Sequence, residues 1–155
     1  MDATLLTLGV NAPDAALTLN RVVLGTFFAI SGFNKLFNAS RHATLTQTLK
    51  DDGVPAVPVM QWLVPGVEFS GGCALILGLL SALSAFGLLV ICLTALGLDA
   101  IKRIAEWQPI NRGDWVADLL YLPEMLYCIG LAIVILAGPG AWSVDARIVA
   151  SFLAA

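Results

Sequence analysis

Charged residues are scarce in this sequence. Asp, Glu, Lys and Arg make up 12% of its 155 residues, against roughly 25% in an average soluble domain. Hydrophobic residues reach 59%, and the mean hydropathy is +0.88. A chain this short has too little interior to bury so many apolar side chains, so lipid must solvate a large part of its surface. The composition therefore predicts an integral membrane protein.

Several patterns that carry chemistry are also lacking. The net charge is −3, and no arginine-rich block points to nucleic acid. The single histidine, His42, gives no support to a haem-type pair or a histidine metal site. The three cysteines form no C-x-x-C or iron–sulfur set and are interpreted as small packing residues, and no G-x-G-x-x-G fingerprint occurs. A chain of this kind cannot move electrons far without a partner that carries a cofactor.

Four apolar runs are long enough to span a bilayer, which takes about 20 mostly apolar residues. They cover approximately 15–37, 57–80, 83–104 and 118–137. A couple of residues around Ser81 separate the second run from the third, which predicts a tight antiparallel hairpin. The first connection has Leu45 and Leu49 at helical spacing and stops at Gly53, which predicts a short interfacial helix. We therefore predict an all-α integral membrane four-helix bundle, with residues 1–155 as a single transmembrane domain.

Basic residues indicate the orientation of this bundle. Six of the eight lie on the side of the two longer connections: Lys35, Arg41, Lys50, Lys102, Arg103 and Arg112. By the positive-inside rule these connections are cytoplasmic and both termini lie outside the cell (inner) membrane. All four tryptophans lie near predicted span ends, where amphipathic rings belong: Trp62, Trp107, Trp115 and Trp142.

Six ionisable residues lie inside or at the edge of the predicted spans: Arg21, Lys35, Glu68, Asp99, Asp118 and Glu124. Each costs about 2.5–3.5 kcal/mol to insert near a helix centre, so a functional site is the default hypothesis for a mid-membrane acid. A rise of about 1.5 Å per residue places Glu68 and Glu124 at a similar depth. Asp118 is interpreted as an N-cap or first-turn acid. Asp99 is interpreted as an ion-pair partner of a nearby cation or as a site residue.

Helical phase predicts which groups face inward. One face of the first span carries Arg21, Gly25, Phe28, Gly32 and Lys35. In the second span, Glu68 shares a face with Gly71, Gly72 and Leu75, and a separate small-residue stripe is formed by Gly66, Ser70 and Ala74. In the fourth span, the residues flanking Glu124 at i−3, i+3 and i+4 are Tyr121, Tyr127 and Cys128. The alternative to a functional site is structural, with both glutamates bonded to Arg21 or to a tyrosine.

Four segments resemble the DoxX family of small four-helix membrane proteins. "RVVLGTFFAISGFNKLF" is similar to the family's arginine, leucine-glycine and G-x-x-K-L pattern. "DDGVPAVPVMQWLVPGVEFSGGCALILGLLS" resembles its G-x-P turn, E-x-x-G-G centre and L-G-L exit. "LTALGLDAI" sits where the third helix of the family ends, although Asp99 departs from the expected alanine- or methionine-rich sequence. "ILAGPGAWSVDARI" is similar to the G-x-G-x-x-S-x-D sequence after the last helix.

The resemblance implies a link to redox chemistry. Some relatives form the membrane part of thiosulfate:quinone oxidoreductase, others associate with soluble oxidoreductases, and many have no assigned activity. Arg21, Lys35 and Glu68 match the polar positions of the family, whereas Glu124 is proposed on physical grounds. The leading hypothesis is a membrane subunit of a quinone-linked redox complex with an oxidoreductase partner. Its quinone would bind without a covalent bond.

In this hypothesis Glu68 and Glu124 exchange protons, and Arg21 stabilises negative charge developing on the quinone. The predicted substrate-binding residues are Lys35, Tyr121, Tyr127 and Asp99. A second hypothesis is a non-catalytic scaffold whose cytoplasmic segment "KRIAEWQPINRGDW" docks a soluble oxidoreductase. A third is binding or transport of a small lipophile or anion, which ranks lower because four helices of this length enclose only a narrow cavity. Whether the chain is itself an enzyme stays open.

Overall fold

The computed structural model describes residues 13–107 and 110–153, apart from the side chains of 99 and 100. Every regular element in these ranges is helical, which confirms the all-α prediction. The helices are α1 (Pro13–Phe37), α2 (Ala39–Asp51), α3 (Val57–Leu77), α4 (Ser81–Ala95), α5 (Ile101–Glu106), α6 (Arg112–Tyr121), α7 (Pro123–Ala137) and α8 (Val144–Leu153). A π-helical turn, Leu96–Ala100, joins α4 to α5.

Within the described ranges, three helices are long and apolar enough to cross a membrane. They are α1, α3 and the continuous helix Ser81–Glu106, which comprises α4, the π turn and α5. In each of these helices, between 22% and 28% of the most apolar 18-residue segment is buried inside the bundle. Most of the apolar surface is therefore left for lipid, as the composition predicts.

The fourth span is broken, which corrects the prediction of one helix over 118–137. Helices α6 and α7 meet at an angle of 67°, and Leu122 between them is extended (φ −65°, ψ 129°). The cause is Pro123, which has no N–H to donate and whose ring excludes the preceding residue from helical conformation. The first-turn interpretation of Asp118 was also wrong, because Asp118 lies in the interior of α6, which Asn111 caps.

Helices α1 and α3 touch backbone to backbone. A Cβ added to Gly72 would lie 2.7 Å from the carbonyl oxygen of Gly25, and one added to Gly32 would lie 2.7 Å from that of Pro65. These glycines are on the faces predicted to point inward, and that prediction is confirmed. In contrast, a Cβ on Gly66 would meet nothing within 4 Å. The small-residue stripe is therefore open at Gly66, and Ser70 one turn later is exposed.

The core lies where α1, α3, α4 and α7 converge. Its fully buried members include Leu75, Leu88 and Leu131. The hairpin between α3 and α4 is as tight as predicted, since α3 ends at Leu77 and α4 begins at Ser81.

The first connection forms α2, which confirms the predicted short helix; its interfacial position stays a prediction. Asn38 caps its start by accepting hydrogen bonds from the N–H groups of Ser40 and Arg41. Gly53 follows its end with φ +68°, a left-handed conformation that glycine adopts without penalty. Helix α2 is held against α3 by a 3.0 Å hydrogen bond from Thr46 Oγ1 to Gln61 Oε1.

Candidate functional site

A buried ion pair joins α1 to α3. Lys35 Nζ lies 2.7 Å from both carboxylate oxygens of Glu68, and Ser31 Oγ donates to Glu68 Oε2 at 3.2 Å. Glu68 is 5% exposed. Ser31 and Lys35 are one turn apart on α1, and the glycine contacts bring that face onto α3. Glu68 is therefore neutralised and hydrogen-bonded where an unpaired carboxylate would be very costly.

This ion pair lies on the wall of a cavity of about 650 Å³ between α2, α3 and α4. We call it the α2–α3–α4 cavity. Its lining is mainly apolar and includes Leu45, Leu49, Leu63, Val67, Val90 and Ile91. Arg41, Thr44 and Thr48 contribute polar groups from α2. An apolar cavity of this size with a few polar groups is typical of a small-molecule site, for which volumes of roughly 300–1,000 Å³ are usual.

Helix α2 covers this cavity and is tied to α5. Asp52, just after the end of α2, accepts a 2.7 Å hydrogen bond from Lys102 Nζ of α5. The Asp52 side chain is 12% exposed and that of Lys102 is 60% exposed. Because water screens this exposed pair strongly, the pair orients α2 relative to α5 but adds little to the stability of the fold.

The structure places Arg21 away from both glutamates. Its guanidinium is 1% exposed and donates from Nη1 to the carbonyl of Leu75 at 3.0 Å and from Nη2 to that of Trp142 at 3.3 Å. Leu75 lies in the last turn of α3, and its carbonyl also accepts a 3.1 Å hydrogen bond from the N–H of Gly78. Arg21 therefore binds the hairpin end of the bundle, at the opposite end of α1 from Lys35.

Asp145 of α8 completes the arrangement around Arg21. Its two carboxylate oxygens accept hydrogen bonds from the backbone N–H groups of Leu80 at 2.7 Å and Ser81 at 2.8 Å. Burial alone would raise the pKa of Asp145, but the hydrogen bonds from Ser81 and Leu80 and the charge of Arg21 outweigh it and hold that pKa below its usual value. Asp145 thus caps α4, which has no cap from its own N-cap residue.

Glu124 has a different partner, Arg103 of α5, whose Nη2 donates to Glu124 Oε1. Tyr127 of α7 stacks on Phe27 with ring centroids 4.2 Å apart. Tyr121 is 79% exposed, and the break at Leu122 places it on α6, whereas Glu124 and Tyr127 are on α7.

The predicted site residues therefore fall into separate groups. Lys35 and Glu68 are together on the cavity wall, whereas Arg21, Glu124 and both tyrosines do not line it. The side chain of Asp99 lies outside the described residues, so its pairing and its site role stay predictions.

Sequence reasoning missed Ser31 and Asp145 as hydrogen-bond partners. Ser31 carried a usable signal, because it lies one turn before Lys35 on the same helix face. Asp145 carried no such signal apart from its place in the G-x-G-x-x-S-x-D motif, because its partners are 64 and 65 residues away in the chain.

The chain was compared with known proteins. It matches the DoxX family model over residues 16–100. That match takes in α1, α2, α3 and α4, and with them the Lys35–Glu68 pair and most of the cavity wall. No curated protein and no solved structure matches the chain. Because the family model covers more than half of the sequence, this multi-pass membrane protein belongs to the DoxX family.

Proposed function

We propose that the protein is the membrane subunit of a quinone-linked redox complex of the inner membrane, and that a quinone head group binds in the α2–α3–α4 cavity. The observation that carries the proposal is the buried Lys35–Glu68 pair, with 2.7 Å contacts, on the wall of a mainly apolar cavity. Quinones reach such a site sideways from the bilayer, so the site needs apolar walls and a few groups that bind the ring oxygens.

The residues present fit that chemistry. Lys35 has three N–H donors, and its side chain is 29% exposed, so a donor is available to a quinone oxygen beside Glu68. Glu68 is a carboxylate that can give and accept the protons that quinone reduction and oxidation require. A quinone–quinol couple held there would supply chemistry that transfers two electrons. The partner subunit would bring the cofactor that exchanges them.

Cavity shape offers the sharpest test of this proposal. Gly87 lines the cavity, and a Cβ there would meet Val67 at 3.6 Å, an ordinary contact. Gly87→Leu should therefore fill the cavity without disturbing the helix. We expect the affinity for a short-chain ubiquinone, measured by titration calorimetry in detergent, to fall at least tenfold. Gly97→Leu is the matched control, because a Cβ on Gly97 would meet nothing within 4 Å.

Charge substitutions test the same site independently. Glu68→Gln should abolish quinone-linked turnover of the complex, whereas Glu124→Gln, outside the cavity, should leave quinone affinity unchanged. The proposal fails if Gly87→Leu and Gly97→Leu bind quinone equally well, or if the wild-type protein with its native partners binds none.

A second candidate function, a scaffold for a soluble oxidoreductase, is favoured by exposed large apolar residues around α5 and α6. Trp107 is 47% exposed, Trp115 is 38% exposed and Ile110 is 93% exposed. Residues 108 and 109 of the proposed docking segment lie outside the described ranges. If this function holds, Trp107→Ala and Trp115→Ala release the partner in a gentle-detergent pull-down. Glu68→Gln then changes stability alone.

A further inference from the structure

The charges on the wall of the α2–α3–α4 cavity do not cancel. Four charged side chains line it, and two of them are neutralised: Glu68 is paired with Lys35, and Asp52 is paired with Lys102 of α5. The guanidinium of Arg41, near the start of α2, has no ion-pair or hydrogen-bond partner among the described residues. Arg41 is also exposed. The mouth of the cavity therefore carries one uncompensated positive charge.

Arg41 supplies hydrogen-bond donors that the hydroxyl groups of this cavity do not. The three threonines on the wall are Thr44, Thr48 and Thr94. Each donates its hydroxyl hydrogen to the carbonyl four residues earlier in its own helix, at 2.8–3.1 Å. A guanidinium has five N–H donors in a planar fork that matches the oxygens of a phosphate group. An anionic group at the mouth would therefore bind to Arg41.

A second apolar recess adjoins the cavity on the exposed side of α3. This groove of about 450 Å³, which we call the α3 groove, is lined by Trp62, Gly66 and Ser70 among others. Leu63 and Val67 line both recesses and form a ridge between them. Ser70 Oγ donates to the carbonyl of Gly66 at 2.8 Å, so its hydroxyl hydrogen is occupied. The α3 groove therefore suits an alkyl chain.

A ring contact brings the start of α2 against the α3 groove. His42, the residue after Arg41, packs on Trp62 with ring centroids 4.3 Å apart. Its Nδ1 lies 3.0 Å from the carbonyl oxygen of Lys35, and because a carbonyl only accepts hydrogen bonds, this nitrogen carries the proton. These contacts fix the start of α2 to both α1 and α3. Arg41 thus lies close to the same end of both recesses.

We propose that this region binds one anionic diacyl phospholipid of the cytoplasmic leaflet. The phosphate pairs with Arg41, one acyl chain enters the α2–α3–α4 cavity, and the other lies in the α3 groove across the ridge of Leu63 and Val67. Basic pockets between membrane helices on the cytoplasmic side are typical sites for anionic lipid head groups. The lipid and a quinone would compete for the cavity, which adds a means of regulation to that site.

Lipid titration followed by native mass spectrometry tests the head group. The full-length protein in neutral detergent is titrated with dioleoyl phosphatidylglycerol or with dioleoyl phosphatidylcholine, which has the same chains and no net charge. We expect phosphatidylglycerol to bind at least tenfold more tightly. Arg41→Gln should remove this preference. Lys50→Gln is the matched control, because it removes an exposed cation of α2 that does not line the cavity, and it should keep the preference.

A single-chain lipid tests the two recesses. Lysophosphatidylglycerol has the same head group with one acyl chain, and we expect it to bind at least tenfold more weakly than phosphatidylglycerol. Gly66→Leu fills the α3 groove at a position where a Cβ meets nothing within 4 Å. This variant should weaken the binding of phosphatidylglycerol and leave that of lysophosphatidylglycerol unchanged, because the single chain still has the cavity.

Three results would overturn the proposal. They are equal affinity for the two diacyl lipids, an equal loss of preference in Arg41→Gln and Lys50→Gln, and a dimer without bound lipid, in which a second copy covers the α3 groove. The comparison of lipids on the wild-type protein is decisive even if a variant does not fold. These titrations contain no quinone, so lipid binding and quinone binding can fail separately.

Discussion

The carboxylate of Glu68 is stable in the bundle because Lys35 neutralises it and Ser31 adds a hydrogen bond. A buried ion pair of this kind contributes little net stability, since removing two charges from water costs about as much as their attraction returns. Loss of one partner is a different matter, because it leaves an uncompensated buried charge.

We therefore predict that Lys35→Met, which leaves the buried Glu68 carboxylate unpaired, lowers the free energy of unfolding by about 3–5 kcal/mol. Glu68→Leu should cost less, because the Lys35 side chain is 29% exposed and can reach water. The double variant Lys35→Met/Glu68→Leu should recover most of that loss. Reversible unfolding in mixed detergent measures all three. A double variant as unstable as the worse single variant would show that the two residues act separately. If the double variant is stable yet inactive in the complex, the pair has a role beyond holding helices together.

Asp145 gives a prediction about pH. Its pKa is lowered in the folded protein, so the stabilisation it provides is complete above its usual pKa of about 3.9 and is lost as the pH falls through the lowered value. Asp145→Ala should cost about 0.5–2 kcal/mol near neutral pH, as the loss of a helix cap does. Thermal melts between neutral pH and pH 2 should show the gap between the two proteins closing below about pH 4.

At the scale of helices, the contact between α1 and α3 depends on glycine. Gly72→Ala would push a methyl group into the backbone of α1, and we expect it to cost about 1–3 kcal/mol as overpacking does. Gly66→Ala on the same helix is the control. It meets open space and should be neutral or stabilising by up to about 1 kcal/mol, since alanine favours helix. Equal effects at the two positions would mean that α1 and α3 do not touch as described.

Helix breaks show what single-sequence reasoning captures and what it misses. Apolar length correctly located α1, α3 and the long helix Ser81–Glu106, because lipid requires it. The break at Leu122 was missed because hydropathy averages over a window and ignores Pro123. The π turn Leu96–Ala100 has no comparable marker in the sequence.

For the whole molecule, the positive-inside rule predicts a topology that can be measured. Ser40 of α2 and Ala141 before α8 are exposed, and they lie near opposite ends of the bundle. In a chain whose native cysteines are replaced by alanine, Ala141→Cys should react with a membrane-impermeant maleimide on intact cells. Ser40→Cys should react only after permeabilisation. The reverse pattern would place the α2–α3–α4 cavity at the outer surface.

Sequence reasoning could not predict which polar side chains pair across the bundle. Depth and helix face placed Glu68, Glu124 and Arg21 as possible neighbours, yet each found a different partner. Partner choice depends on how helices rotate and tilt against each other, and those quantities follow from packing contacts such as those of Gly32 and Gly72. The face of Glu68 was predictable from periodicity, but its bond to Lys35 was not.

The Lys35–Glu68 pair also bears on how the protein enters the membrane. During synthesis Lys35 emerges 33 residues ahead of Glu68, and Arg21 emerges long before Asp145. The nascent α1 thus meets the bilayer with two cations before the acids that face them have emerged, at about 2.5–3.5 kcal/mol for a charge near a helix centre. When α3 brings Glu68 beside Lys35, the ion pair removes much of the insertion cost of Lys35. Lateral release of α1 from the translocon is therefore expected to wait for α3, so that Lys35 enters the lipid already paired with Glu68.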